Sequence, residues 1–268
     1  MRIIIATSMT IFVLLMAIVL AIGGLGYILP PPNVRRIAFC YLNNTFNPYT
    51  PYYSAMAPEA VTAIIWDFRG LDTLFETVVF YIAIISSVAL MRWIGLPMKY
   101  RYYGMSPIVK TVTKITLCMI LAVAASITLH GHLTPGGGFQ GGATAAIAPL
   151  LVLVVFSVYI LHSMRVSKEN MLILRSLGLL GVGLTAFIVL LVALIHGIPA
   201  FVFQNQPKPY SPVGLPWKLG EVLTSGTPLL FNISEMFAVA AGFTIVFILL
   251  AIPESEALKV MKGEEYGH

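Results

Sequence analysis

The chain has 268 residues, of which 58% are hydrophobic and 10% charged, and its mean hydropathy is +0.90. A soluble domain carries about 25% charged residues, so lipid must be the solvent for most of this surface. The net charge of +5 is spread over the loops between apolar runs and forms no basic stripe, which argues against a nucleic-acid partner and for charge that sets membrane topology.

A helix rises about 1.5 Å per residue, so about 20 residues cross a hydrocarbon core of about 30 Å. Six segments meet that length, and they predict an all-α polytopic membrane protein. The first, Ile3–Leu29, is uninterrupted by charge and stops at Pro30-Pro31-Pro32. It exceeds the about 7–15-residue apolar core of a secretory signal, so it reads as a retained span. An irregular stretch follows from Pro30 to Gly70, closing with a short helix, Pro58–Phe68, predicted to lie along the membrane surface. The next spans are Leu71–Leu96, Pro107–Leu129, Gly141–His162 and Met171–Ile195. A second long connection, Gly197–Leu230, leads to the last span, Phe231–Ile252.

Six spans put both termini on one side. That side holds 11 of the 16 basic residues, Arg175, Lys110 and Lys114 among them, and the other side holds 5. The positive-inside rule then predicts cytoplasmic termini, with the two long connections outside. Trp66, Trp93 and Trp217 fall near span ends, as an interfacial aromatic belt requires. Cys118 lies in a span and Cys40 in a loop, so no disulfide is expected between them. No mixed Cys/His spacing suggests a metal, and no cofactor is expected.

Ionisable groups inside spans cost about 2.5–3.5 kcal/mol each on insertion scales, so each needs a partner, water or a function. Asp72 and Glu76 stand four residues apart on one face of the second span. Either they cap a helix start, where acids favour the dipole, or they take and release protons or hold a cation. Glu76, a turn deeper, favours the second reading. Glu235 opens the last span with Asn232 on its face, and the same two readings stand for it. His130 and His132 end the third span. Histidine titrates near neutral pH, which suits a proton relay, although an i,i+2 spacing would point the two apart on a helix. Lys114, a turn deeper than Lys110, is a further candidate, against the alternative that both snorkel to lipid headgroups.

The third and fourth spans are joined by His130-Gly131-His132-Leu133-Thr134-Pro135-Gly136-Gly137-Gly138-Phe139-Gln140-Gly141-Gly142. No strand precedes this run and it lacks the GxxxxGK[ST] pattern, so it is not a nucleotide loop. Irregular backbone at membrane depth survives only against protein or a wet cavity. The turn is therefore expected to pack into a partner or to edge a polar pathway.

These residues resemble a known family. Gly131 to Gly142 is similar to the signature of the B subunit of Mrp-type multisubunit cation/proton antiporters, and Gly226-Thr227-Pro228-Leu229-Leu230-Phe231-Asn232-Ile233 resembles the entrance of that family's final span. The family has an acid where Asn232 stands, so the resemblance gives Asn232 no proton-carrying role. The B-like part runs from about Tyr100 to the C-terminus. Upstream, Asp67-Phe68-Arg69-Gly70-Leu71-Asp72-Thr73-Leu74-Phe75-Glu76 is similar to the DFRALDTLGE segment ending the large A subunit. The chain thus resembles two modules joined, residues 1–98 and 99–268, with a seam near Leu96–Ser106.

The resemblance implies a non-catalytic, multi-pass subunit of the cell membrane that exchanges Na+ for H+ with other membrane subunits, in an antiporter or a hydrogenase-related respiratory complex. It places Asp72 and Glu76 in the cation path and makes Pro135, Gly136, Gly137, Gly138, Phe139, Gly141 and Gly142 a structural turn. The alternative is a purely structural scaffold.

Overall fold

Backbone N–H and C=O groups in lipid must be satisfied within their own segment, so apolar runs of this length become helices. The computed structural model describes residues 2–24, 33–91, 105–254 and 258. Among these, six helices are long and apolar enough to cross a membrane: α1 (Arg2–Ala21), α4 (Gly70–Leu90), α5 (Pro107–Leu129), α6 (Gly138–Val155), α8 (Lys168–Ile195) and α9 (Thr227–Leu250). The shorter elements are α2 (Arg36–Thr45), a 3-10 turn at Pro51–Tyr53, α3 (Ala60–Thr62) continuing into a π-helical segment (Ala63–Phe68), α7 (Val158–Ser163), and a hairpin of β1 (Lys218–Leu219) with β2 (Val222–Leu223). Most of the expected seam, Leu96 to Gly104, lies outside the described residues, as do Trp93, Arg92, Lys259 and Lys262.

The chain divides into two units, residues 1–40 and 41–268. In the first, α1 exposes apolar side chains such as Phe12 and Leu15, a surface suited to lipid tails. In the second, α9 is the central helix. It packs on α6 and α8 and also meets α4 and α5. Half of its apolar stretch (50%) is buried, against 11% for α4 and 17% for α5, so the helices around it keep outward apolar faces.

Local chemistry sets the helix ends. Ser106 and Ser167 cap α5 and α8 by accepting the N–H groups of Val109 and Asn170. Pro107 and Pro228 sit in first turns, where a missing N–H costs nothing. α8 closes with Gly197 at φ 67° and the N–H of Ile198 donating to Ala193 O at 2.9 Å, a Schellman ending.

Several expectations need correction. The fourth span ends at Val155, not His162: Ser157 turns to φ 154°, its N–H donates back to Val152 O at 3.2 Å, and α7 starts afresh. That span also begins earlier, so Gly138, Phe139, Gly141 and Gly142 belong to the first turns of α6 and not to the loop. The stretch Pro30–Gly70 contains helix α2, where an irregular loop was expected. The segment Pro58–Phe68 turns one side into the core of the unit. Its Trp66 is 0% exposed and stacks on Phe231 of α9 at 4.3 Å between ring centroids, so Trp66 belongs to the core and not to an interfacial belt.

Arg175 is likewise no topology charge. It is 1% exposed within α8. Its Nη1 donates to Ala238 O at 2.7 Å and its guanidinium lies 4.4 Å from the Phe80 ring centroid, tying α8 to both α9 and α4. A side chain at Gly242 would collide with this guanidinium, so that glycine makes its berth.

The close contact of α6 with α9 is testable. A Cβ on Gly142 would lie 2.7 Å from both Met236 O and Val239 Cβ, whereas one on Gly183 meets nothing within 4 Å. Overpacking costs about 1–3 kcal/mol. Gly142→Leu should lower the thermal midpoint of the detergent-solubilised protein by several degrees, while Gly183→Ala leaves it unchanged or slightly higher. Equal midpoints for the two variants would contradict the packing.

Candidate functional site

The end of the second unit that carries the long connections is knitted by buried amides. Asn205 Nδ2 donates to Ala55 O at 2.8 Å, and its Oδ1 accepts the N–H of Thr227 at 3.0 Å and Gln206 Nε2 at 3.1 Å. Asn205 thereby starts α9 well before the predicted Phe231. Thr62 Oγ1 donates to Gly131 O at 2.6 Å and the N–H of Glu59 donates to His132 O at 3.1 Å, fixing the glycine turn to α3 and the residue that caps it.

With α9 starting at Thr227, Glu235 lies in its third turn and cannot cap its own helix. It docks on another one. Its carboxylate accepts the N–H of Phe139 in the first turn of α6. Helix N-termini present unpaired N–H groups and partial positive charge, which suit an anion. The approach needs glycine: a Cβ on Gly138 would stand 2.6 Å from Glu235 Oε2 and 2.5 Å from Asn232 O. Glu235 is 4% exposed and Asn232 0%. Neither Glu235 Oε2 nor the Oδ1 and Nδ2 of Asn232 has a hydrogen-bond partner. Gly131 and Gly137 face Asn232, with ideal Cβ positions 3.0 Å from Nδ2 and 3.8 Å from Oδ1. Among the described residues the ion pairs are Arg69–Asp72 and Lys218–Glu221, so no basic side chain neutralises Glu235.

The other sequence candidates separate. Glu76 is exposed on α4, and its charge acts on Glu235. Asp72 is exposed and paired with Arg69, whose Nε donates to it at 2.6 Å. His130 is exposed, and its Nδ1 donates to Ser126 O at 3.1 Å. His132 is buried and its Nε2 donates to Leu223 O at 2.9 Å. Charging it would put a proton on Nδ1, which is buried without a partner, and burial holds its pKa below the ordinary histidine value. Lys114 is exposed on α5. Pro135 is exposed in the turn, where Gly136 packs on Ile127. The side-chain bonds of the two histidines therefore run to Ser126 and to the Leu223 carbonyl and not to the acids.

Two polar residues escaped the sequence reading. Arg175 sits seven residues into α8, and its depth was the available signal. Asp67, in the π-helical segment, is half-buried, and burial raises its pKa from 3.8 to about 6, with Lys208 opposing the shift. Only the match of Asp67 to the A-subunit segment marked it.

Residues 108–245, just over half the chain, match the family model described as a domain related to the MnhB subunit of Na+/H+ antiporter. An uncharacterized protein of Methanocaldococcus jannaschii is 27% identical over 238 residues, covering 81% of this chain and 85% of its own length. The "Putative antiporter subunit mnhB2" of Staphylococcus haemolyticus is 30% identical over 146 residues, covering 54% of this chain and 92% of its own. Among solved structures, a chain of the membrane-bound sulfane sulfur reductase, an archaeal respiratory membrane complex, aligns with TM-score 0.61 and 24% identity over 92% of this chain and 97% of that one. A chain of the Mrp complex from Dietzia sp. DQ12-45-1b aligns with TM-score 0.60 and 16% identity over 94% of this chain, which spans 26% of that longer one. These two likenesses establish a shared fold.

The burial of Asp67 has a pH signature. Below about pH 3.8 the carboxyl is protonated in folded and unfolded chains alike; between 3.8 and about 6 only the folded chain keeps the proton, so stability falls as pH rises through that window. Asp67→Asn lacks this loss. Thermal midpoints of wild type and variant in detergent should diverge in the variant's favour from pH 4 to 6.5 and then run parallel. A constant difference across the range would show Asp67 to be solvated.

Proposed function

The chain belongs to the family of domains related to the MnhB subunit of Na+/H+ antiporters, and we propose that it serves as a membrane subunit of a Na+/H+ antiporter module within a respiratory membrane complex. One observation carries an ion-handling role over a purely scaffolding one. Glu235 is a buried carboxylate inside a span, held on the Phe139 amide of α6 with no basic partner among the described residues. An unpaired carboxylate in low dielectric is stable only when neutralised, by a proton or by a cation. Those are the two species a Na+/H+ exchanger handles.

The ion route enters beside α4, at Glu76, and reaches Glu235 on α9. Asp72, paired with Arg69, marks its mouth. His130 and Lys114 lie on exposed surfaces that neighbouring membrane subunits would cover, and His132 serves the fold. The outward apolar faces of α4 and α5 suit such neighbours and lipid. The chain itself performs no redox chemistry in this reading, which leaves the driving reaction to other chains.

The chain also combines two modules, residues 1–98 of A-subunit-tail type and residues 99–268 of B type. In support, the family model matches residues 108–245 and leaves the α4 region outside it. Arg175, bonded to α9 and lying over Phe80 of α4, would join the two.

The test is Glu235→Gln in the assembled complex, assayed as Na+-driven proton movement in inverted vesicles. Exchange should fall at least about tenfold, the factor given by about 1.4 kcal/mol of lost interaction, with the subunit still co-purifying. Glu76→Gln should give a smaller loss. Undiminished exchange in Glu235→Gln would leave the scaffold reading.

A further inference from the structure

The unpaired atoms of α9 are not confined to the carboxylate. Asn232, one turn earlier on the same face, is fully buried with both ends of its amide unpartnered. A buried amide that bonds nothing is costly, and buried polar groups are satisfied as a rule. The neighbours of Asn232 in sequence, Phe231 and Ile233, show that apolar residues fit this part of α9. Three glycines, Gly131, Gly137 and Gly138, lie against these side chains, so only backbone and no Cβ from the turn approaches them there. Amide oxygen and nitrogen are interchangeable by a flip, so Asn232 can present either to the glycine turn. Asn232 and Glu235 supply hard oxygen donors, one neutral and one anionic, from positions i and i+3 of one helix face.

We propose that Asn232 and Glu235 form a binding site for one Na+ ion, which competes with a proton for Glu235. The proposal rests on the reading that the chain belongs to an ion-translocating module. The exchange conserves charge: Na+ enters, the O–H bond of the Glu235 carboxyl breaks, the electron pair stays on the carboxylate, and H+ leaves toward water on the Glu76 side. The other charged groups around the site are few. Glu76 acts on Glu235 from α4. Arg175 of α8 bonds further along α9, at Ala238. His132 in the turn bonds away to Leu223. α6 contributes its N-terminal amides. Asn232 is the specificity-determining ligand, because a neutral oxygen adds affinity for a metal ion and none for a proton.

The experiment measures the Na+ dependence of exchange in the reconstituted complex for Asn232→Ala and Asn232→Ser, with Glu235→Gln alongside. Asn232→Ala should raise the KM for Na+ about tenfold, equivalent to about 1.4 kcal/mol, with maximal exchange little changed, and Asn232→Ser should lie between it and wild type. As a check independent of turnover, NaCl but not choline chloride should raise the thermal midpoint of the wild-type complex, and Glu235→Gln should abolish that rise. An unchanged KM in both Asn232 variants, while Glu235→Gln stops exchange, would overturn the site and leave the route standing. Full exchange in Glu235→Gln would remove the route itself. If Asn232→Ala fails to assemble, the Ser variant and the salt-dependent midpoint decide in the same way.

Discussion

The fold turns on one close approach, that of the N-terminus of α6 to the third turn of α9. Glycines at 138 and 142 let the two backbones meet, and the contact lays the amide of Phe139 on the carboxylate of Glu235. A larger residue at 138 or 142 would meet α9 backbone and side-chain atoms at under 3 Å. The glycine turn before α6 is fixed by the same contact, since Gly131 and Gly137 face Asn232. The turn is then bound to α3 through Thr62 and Glu59, and the π-helical segment that continues α3 stacks Trp66 on Phe231. Loosening α6 from α9 would free the whole end of the unit.

Buried charge is accommodated twice around α9, on α9 itself at Glu235 and on α8 at Arg175, and both times with the backbone of a neighbouring helix. Glu235 rests on the unpaired amides of a helix N-terminus, while Arg175 donates to the carbonyl of Ala238 and lies over an aromatic ring. Neither solution uses a counter-ion. A buried ion pair would lock both partners, and breaking it would be costly. A carboxylate held by amides alone keeps one oxygen available. Arg175 has no such free role: its guanidinium is enclosed by α4, α8 and α9 and reads as a clamp. One buried charge, on α9, is thus able to change its partner, and the other, on α8, is not.

Much of this was legible in the residues. The six apolar runs became six helices because length and charge content alone decide what can span lipid. The glycine run between α5 and α6 stood out as irregular backbone that needs protein or a wet cavity beside it, and within this chain it packs against Asn232 and Ile127. What failed depended on partners that no local pattern reveals. Trp66 near a span end looks the same whether it faces headgroups or Phe231. Arg175 near a span end looks like a topology charge until α4 and α9 close over it. Glu235 looked like the cap of its own helix because Asn205, 22 residues before Thr227, is what starts α9 early. Asn232 was set aside as a residue that carries no proton, and its buried, unpaired amide emerges only once the turn is folded against it.

The central claim is that the carboxyl of Glu235 exchanges a proton for a metal cation. The most direct measurement is proton release when Na+ is added to the purified complex in weakly buffered detergent, followed with a pH indicator. The account predicts a saturable release of up to about one proton per chain, absent with choline and absent from a complex carrying glutamine at position 235. No release, or the same release from the glutamine-bearing complex, would contradict it.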